Sequence, residues 1–366
     1  MGGGVSAFVV AGRRTAVVPR GGAFARLELA ELAVPVLAAC LADAGIAADE
    51  VGEVIVSNAL GGGGNVARLM ALAAGLPERV AGLTVDRQCA GGLDAVLLAR
   101  ALVESGVADV VVAGGVESYS RRPLRFRTDP EGGAAVAYDR PAFTPWPERD
   151  PEMHAAAEAL ALRLGIGRQA QDSWAVGSHA KALKAVFLGE IVGIAGVERD
   201  AFARRLTMET ARRAKGLCGS ITVANAAVAA DAAGFVAVVS ERRAKACHRA
   251  LRIVGGATLG AAPDEPGLAP VLAIGEVLER AGVRPTDLQA VEIMEAYAVQ
   301  ALACVQGAGL DPGLVNLSGG ALARGHPIGA SGAILAVRLY HQLQRGHGLA
   351  AIAAAGGIGT ALLLEG

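Results

Sequence analysis

The sequence predicts an α/β protein, with a parallel sheet covered by helices. Two observations carry that expectation. Short β-branched runs alternate with long alanine- and leucine-rich stretches, the pattern of buried strands between helices. Of 366 residues, 53% are apolar but only 4% aromatic and 50 are glycine, so the interior is built from small aliphatic side chains in close contact. The length suggests two or three domains and buries a sizeable core without disulfide staples.

In the first part, strands are expected near residues 5–10, 53–59, 82–86 and 109–114, and helices near 27–44, 66–75 and 90–104. Gly45 is placed to cap the first helix, and Gly114-Gly115 to let the chain turn after its strand. From Glu117 the composition shifts to Arg, Pro and aromatic residues (Tyr119, Arg121, Arg122, Pro123, then Pro141, Pro145, Trp146, Pro147), an irregular excursion. Helical patterns follow over 152–164 and 168–189, then a polar helical segment over 198–214 leading to Asn225. This block reads as a loop or lid domain inserted on the first half. Regular alternation then resumes, with strands near 233–239, 251–257, 289–294, 313–317, 349–355 and 359–364, and helices near 270–282, 297–307 and 328–343.

Thirty-four Lys and Arg against 35 Asp and Glu give a net charge of −1, which argues against nucleic acid or an anionic membrane as partner. Mean hydropathy is +0.42, yet no apolar run reaches the roughly 20 residues of a membrane span. The stretch from Met1 to Arg20 lacks the order of a signal peptide, so a cytoplasmic location is expected. The five cysteines (40, 89, 218, 247, 304) include no C-x-x-C pair, so neither a disulfide framework nor a metal site is expected.

The two halves read as an old duplication. Cys89-Ala-Gly-Gly-Leu-Asp-Ala-Val opens a helix leading to a strand with Ala113-Gly114-Gly115. His326-Pro-Ile-Gly-Ala-Ser-Gly-Ala opens a helix leading to a strand closed by Ala355-Gly356-Gly357. The spacings of 25 and 30 positions fit one supersecondary unit used twice, with Cys89 and His326 at equivalent helix starts. A cysteine there feels the positive end of the helix dipole, which lowers the thiol pKa and makes a nucleophile. Gly91 and Gly92 leave room for a substrate carbonyl. Taken alone, Cys89 is equally compatible with an inert core thiol. A neutral His326 can take the Cys89 proton or donate to an oxyanion, although an isolated Gly-His-Pro also suits a helix cap. His179, His248, His341 and His347 are expected on solvated faces or in a turn.

From about Val5 to Glu365 the chain resembles the thiolase family. The resemblance rests on Arg14-Thr15, Asn65-Val-Ala-Arg68, Gln88 to Val96, Ala113 to Ser120, Met153 to Glu158, Gln171-Asp172, Ser178-His179 and Gly219 to Asn225. The closing run from Asn316 to Gly332 is close to a full thiolase signature. It implies a five-layered α-β-α-β-α fold of two similar halves: residues 1–118 plus 219–245, a coenzyme A-binding loop domain at 119–218, and 246–366. It implies a homodimer or homotetramer, acyl-CoA as substrate and no permanently bound cofactor. By position Cys89 carries the acyl group, and His326 activates it and helps form an oxyanion hole. Gly357 with the Cys89 amide forms a second such hole, and Met153, Asn225, Ala226 and Ala227 meet the coenzyme A arm.

Three motifs depart from the family pattern. The usual Asn-Glu-Ala-Phe, whose Asn holds a catalytic water, is Met294-Glu295-Ala296-Tyr297, the second, acid/base cysteine is replaced by Ala353, and the Asn-Ala-Ser-Gly that contacts pantetheine is Asn225-Ala-Ala-Val228. Glu152 and His154, flanking Met153, are candidate replacements. Loss of an acid/base lowers rate by about 10²–10⁴-fold, which counts against classical thiolysis. Acyl-thioester formation on Cys89 followed by Claisen-type bond formation or cleavage is the first reading. Decarboxylative condensation or transfer to a non-CoA acceptor is the second. A catalytically silent subunit that binds acyl-CoA or a partner protein is the third.

Overall fold

The computed structural model describes residues 6–366, so Val5 lies outside the described residues. Nine strands form one continuous sheet path: β1 (Ala7–Thr15), β2 (Glu53–Ser57), β3 (Leu83–Val85), β4 (Val110–Glu117), β5 (Ala230–Ser240), β6 (Leu251–Gly260), β7 (Leu288–Ile293), β8 (His347–Ala354) and β9 (Ile358–Glu365). The first half runs β3-β2-β4-β5-β1, the second β7-β8-β9-β6, and the two runs join in the sheet where Phe8 and Val9 of β1 pair with Arg252 and Leu251 of β6.

The order reveals the duplication. In the first half the β3–β2 and β2–β4 pairs are parallel and the β4–β5 and β5–β1 pairs antiparallel. The second half repeats this as β7–β8 parallel, then β8–β9 and β9–β6 antiparallel. The counterpart of β3 is a single parallel bridge from Val315 to Val291. The strand expected over 313–317 is therefore absent. Asn316 turns to φ 47, and its amide takes over the pairing instead: its Oδ1 accepts from Ile293 N, and its Nδ2 donates to Ile293 O, both at 2.9 Å.

Helices fill the other three layers. α1 (Leu29–Ala44) and α2 (Val66–Ala73) cover the outer face of the first half, with Leu32, Val36 and Leu37 against Val54, Val56 and Phe235. α3 (Gly91–Glu104) and α8 (Ile328–Gln342) lie between the two halves, with Leu93, Val96, Leu335 and Leu339 packed among Ile55, Val111, Val236, Ile352 and Leu362. α6 (Ala269–Ala281) packs outside the second half against Ile293, Leu349 and Leu363, and α7 (Ala298–Gly307) joins it there. Strands with both faces buried need continuous apolar runs, which is what the sequence shows. Burying so many small side chains close together also brings α3 and α8 into backbone contact. A Cβ on Gly332 would sit 3.1 Å from Gly92 C, and one on Gly92 would sit 3.0 Å from Gly332 C.

Gly45 caps α1 in the left-handed region, as expected. Gly114-Gly115 do not turn the chain. β4 continues to Glu117, and those glycines instead admit the backbones of Gly234 and Gly329. The turn occurs only in the second half, at Gly356 and Gly357, with φ 80 and 75.

The segment after Glu117 holds a hairpin (Arg125–Arg127 with Val136–Tyr138) and helices α4 (Met153–Leu164) and α5 (Arg168–Lys184). The helix expected over 198–214 is reduced to Met208–Arg212. Upstream of it the chain is tied to the end of β1: buried Arg14 bonds Asp200, Val17 N donates to Asp200 Oδ1, and Ala201 N donates to Val17 O. α4 and α5 rest on α7, in clusters that join Leu160 to Val299 and Ala175 to Ala298. His179 is buried rather than solvated, its Nδ1 accepting from Arg204 N at 3.3 Å, and His341 Nε2 reaches Gly12 O at 2.8 Å. Among the described residues no helix is long and apolar enough to cross a membrane.

Candidate active site

The crossing of α3 and α8 brings their N-terminal ends together. Cys89 lies in the one-turn 3₁₀ segment Gln88–Ala90 that leads into α3. The residue before it, Gln88, is held at φ 50, with its backbone N donating to Asp86 Oδ1 at 2.9 Å. His326 stands two residues ahead of α8, and its backbone N donates to Val228 O at 2.7 Å. Cys89 Sγ and His326 Nε2 are 3.1 Å apart.

The tautomer of His326 follows from its second nitrogen. Nδ1 is 2.7 Å from Ser331 Oγ, and Ser331 Oγ donates to Pro327 O at 3.0 Å. A hydroxyl has one proton to give, so Oγ accepts from Nδ1–H, and the Nε2 lone pair faces the thiol. Burial pushes the His326 imidazole down to about 4. It pushes the Cys89 thiol up to about 12, opposed by the N–H groups of Cys89 itself and of Ala355, while Glu117 adds to the rise. This direction is opposite to the lowered thiol pKa expected from the helix dipole, because burial of the sulfur disfavours the thiolate. The resting pair is neutral thiol and neutral imidazole, joined by a hydrogen bond along which one proton can pass.

Glu117, buried at the end of β4, fixes this corner. It accepts from Asn58 Nδ2 at 2.7 Å and from the backbone N of Ala59 and of Gly329 at 2.9 Å each. Burial pushes its carboxyl up to about 7.

A cavity of about 290 Å³ opens on the pair, and its walls are mostly apolar. Cys89, His326, Met153, Ala227 and Ala353 all line it. Four other expected site residues, Asn225, Ala226, Gly357 and Met294, do not line it. Asn225 is fully buried: its Oδ1 accepts from Thr222 N at 2.8 Å, and its Nδ2 donates to Ser220 O and Asp172 Oδ1. Its amide closes a turn, so it is unavailable to a ligand. Ala226 pairs with Tyr297 in an isolated bridge. Gly357 does not line the cavity, and a Cβ there would meet the backbone of Ala261 and Ala262, whereas Ala355 does line it. Met294 is buried in the central core, 2% exposed.

The sequence reading missed Ser331, the partner that sets the histidine tautomer, although it lies within the quoted motif five positions after His326. It also missed Ala355, which no side-chain chemistry marks, and Tyr119, Tyr297 and Gln300 on the cavity wall.

Residues 7–242 match the thiolase N-terminal domain and residues 248–366 the thiolase C-terminal domain. The chain belongs to the thiolase family. Among relatives of this thiolase-family chain, an acetyl-CoA acetyltransferase of Cupriavidus necator is 38% identical, with 98% of each chain covered. The crystal structure of a Bacillus anthracis acetyl-CoA acetyltransferase superposes with a TM-score of 0.92 at 33% identity over the whole of both chains. The Acat5 thiolase of Ascaris suum, solved in complex with coenzyme A, gives 0.91 at 27% identity over 98% of this chain and 99% of its own. The five layers described above are the thiolase fold.

Proposed function

We propose that this thiolase-family protein is an acyl-CoA C-acyltransferase that carries the acyl group as a thioester on Cys89 and makes or breaks a carbon–carbon bond by Claisen chemistry. The observation that carries the reading is the 3.1 Å contact between Cys89 Sγ and the unprotonated Nε2 of His326 at the floor of an apolar cavity. As the sulfur attacks the thioester carbonyl, its proton passes to Nε2, and the imidazolium that forms keeps its Nδ1–H bond to Ser331. The N–H groups of Cys89 and Ala355 are the donors for the tetrahedral oxyanion. Collapse expels the coenzyme A thiolate, which recovers the proton from His326. In this scheme coenzyme A enters as substrate, with Met153 and Ala227 beside its arm.

The relatives named for acetyl-CoA support an acetyl-sized acyl group. A homodimer or homotetramer is part of the same reading, supported by an open edge at β3, where Leu69, Leu72 and Leu83 are exposed.

Incubation with acetyl-CoA, followed by intact-mass analysis and peptide mapping, tests the assignment. An acetyl adduct on Cys89, absent from Cys89→Ala, is the expected result. No adduct with any acyl donor overturns it, and a Cys89→Ala protein with full biological activity establishes a silent binding subunit instead. Decarboxylative condensation or transfer to a non-CoA acceptor is the competing reading, because Ala353 lines the cavity where the family pattern has an acid/base thiol. Rapid thiolysis of acetoacetyl-CoA by the wild type excludes it.

A further inference from the structure

The acyl-transfer scheme above leaves one proton unassigned. Carbon–carbon bond formation removes a proton from the carbon next to a thioester carbonyl, cleavage returns it, and the position expected to handle it is Ala353, which has no acid or base. In the cleavage direction His326 is engaged with the Cys89 proton as the sulfur attacks.

Two titratable groups with an outlet to solvent line the same cavity, Tyr297 and Glu265, and Glu265 is held in an ion pair with Arg163 at 2.8 Å. Tyr297 occupies the place where the family pattern has phenylalanine, so its hydroxyl is an addition at the position that also lost its neighbouring asparagine to Met294. Its backbone is clamped on both sides. Tyr297 pairs with Ala226, Ala227 N donates to Ala296 O at 2.9 Å, and Ala298 N donates to Asn225 O at 2.9 Å. The phenol is thereby fixed on the cavity wall with Cys89, His326 and Ala353. Its hydroxyl is 2.9 Å from Nδ1 of His154, whose ring meets the phenol edge-on with centroids 5.6 Å apart. His154 is exposed in the first turn of α4, so its other nitrogen exchanges protons with water. Glu152, the other candidate beside Met153, is also exposed and points to Arg140 at 3.6 Å. Tyr119 faces the cavity as well, but its hydroxyl has no hydrogen-bond partner among the described residues.

We propose that Tyr297 is the acid/base of the carbon–carbon step and that His154 relays its proton to solvent. In the condensing direction the acetyl C2–H bond breaks, its proton goes to the Tyr297 oxygen, and the phenol's own proton moves to His154 Nδ1. The C2 electron pair attacks the acyl-Cys89 carbonyl, the C–C bond forms, and the C–S bond breaks to leave a Cys89 thiolate, which takes up a proton from water by way of His326 Nε2 as His154 gives one up to water. Cleavage runs the same steps backwards, with the phenol protonating the departing carbanion. Burial holds the phenol above its ordinary value. It therefore rests protonated, as the cleavage direction requires.

The inference rests on a Cys89 thioester, so the test separates the two steps. Cys89 acetylation is followed by single-turnover intact mass. Acetoacetyl-CoA thiolysis is followed spectroscopically, and deuterium entry into C2 of acetyl-CoA in D2O by NMR. Tyr297→Phe is expected to acetylate Cys89 within about threefold of wild type while thiolysis and deuterium entry both fall about 100-fold or more. His154→Ala is expected to lose about tenfold in the same two assays and to recover with added imidazole. A Tyr297→Phe protein that thiolyses within threefold of wild type overturns the proposal. Parallel loss of acetylation and thiolysis overturns it too, because the tyrosine is then part of the framework. Wild-type protein that acetylates Cys89 but neither exchanges C2 protons nor thiolyses has no such acid/base. Absence of wild-type acetylation overturns the thioester reading itself, and this one with it.

Discussion

Gly332→Ala isolates the feature on which the cysteine–histidine contact depends. A Cβ at 332 falls inside contact distance of Leu93 N and lies 3.1 and 3.2 Å from Gly92 C and Cα, against an ordinary limit of 3.4 Å. All three atoms are backbone in α3, so no side-chain rotation relieves them. The helices must separate by about 1 Å, and overpacking of this kind costs about 1–3 kcal/mol. At roughly 2–4 °C per kcal/mol for a large domain, Tm falls by about 2–12 °C. Because α8 carries His326 at its start and α3 carries Cys89, the same shift lengthens the 3.1 Å contact beyond hydrogen-bonding reach. A misplacement of about 1 Å lowers acyl transfer by about 10²-fold. Differential scanning fluorimetry and the rate of Cys89 acetylation read the two effects. Gly275→Ala is the control: that glycine is exposed in α6 with open space around it, so a methyl group there is expected to stabilise by about 0.5–1 kcal/mol. Wild-type melting together with wild-type acetylation in Gly332→Ala would refute the idea that the glycine crossing sets the site.

Two further outcomes follow from the same geometry. Ser331→Ala removes the acceptor that holds the Nδ1–H tautomer, and one hydrogen bond of about 1 kcal/mol predicts a five- to tenfold slower acetylation with the melting point little changed; an unchanged rate contradicts the tautomer assignment. His179 is pushed down to about 4 by burial and next by Arg204, so between pH 6.5 and 4 the unfolded chain binds a proton that the folded chain refuses, and stability is lost as pH falls through that window. Replacing His179 with Asn should shrink the loss of Tm between pH 7 and pH 5 relative to wild type, and an equal loss in both proteins would show that this histidine does not titrate so low.

The layering was legible because strands buried on both faces leave continuous β-branched runs, and because Cys89 and His326 begin matching helix motifs in the two halves. What escaped the sequence was anything decided by tertiary surroundings. The dipole at a helix start is a local property and argues for an acidic thiol, whereas desolvation depends on what covers the sulfur, and here it reverses the sign. Asn225 carries the polar side chain that a ligand contact needs, yet the turn it closes uses that amide internally. Gly357 is named by the motif, yet it does not line the cavity, whereas Ala355, two residues earlier, does. The strand expected at 313–317 gives way because a side-chain amide, Asn316, substitutes for the backbone ladder. None of these is visible in periodicity, which reports burial but not direction.

The two walls of the cavity are constrained differently. Cys89 and His326 hang from helices whose backbones touch at Gly92 and Gly332, so neither can move without a clash that the core resists. The opposite wall is set by strand ends and by the first residues of α4 and α7, where a change of side chain alters the chemistry without displacing a helix axis. Ala353 ends a strand, His154 is exposed, and Tyr297 adds only an oxygen to a ring that the clamp between Asn225 and Ala298 already positions. Replacing a thiol by a hydrogen at 353 and a hydrogen by a hydroxyl on the ring at 297 therefore moves no helix axis. The departures from the family pattern at 353 and 297 both fall on this permissive wall. A fold that fixes its nucleophile by helix crossing while leaving its proton handling to strand and helix ends can change the acid/base without rebuilding the acyl-transfer half of the site.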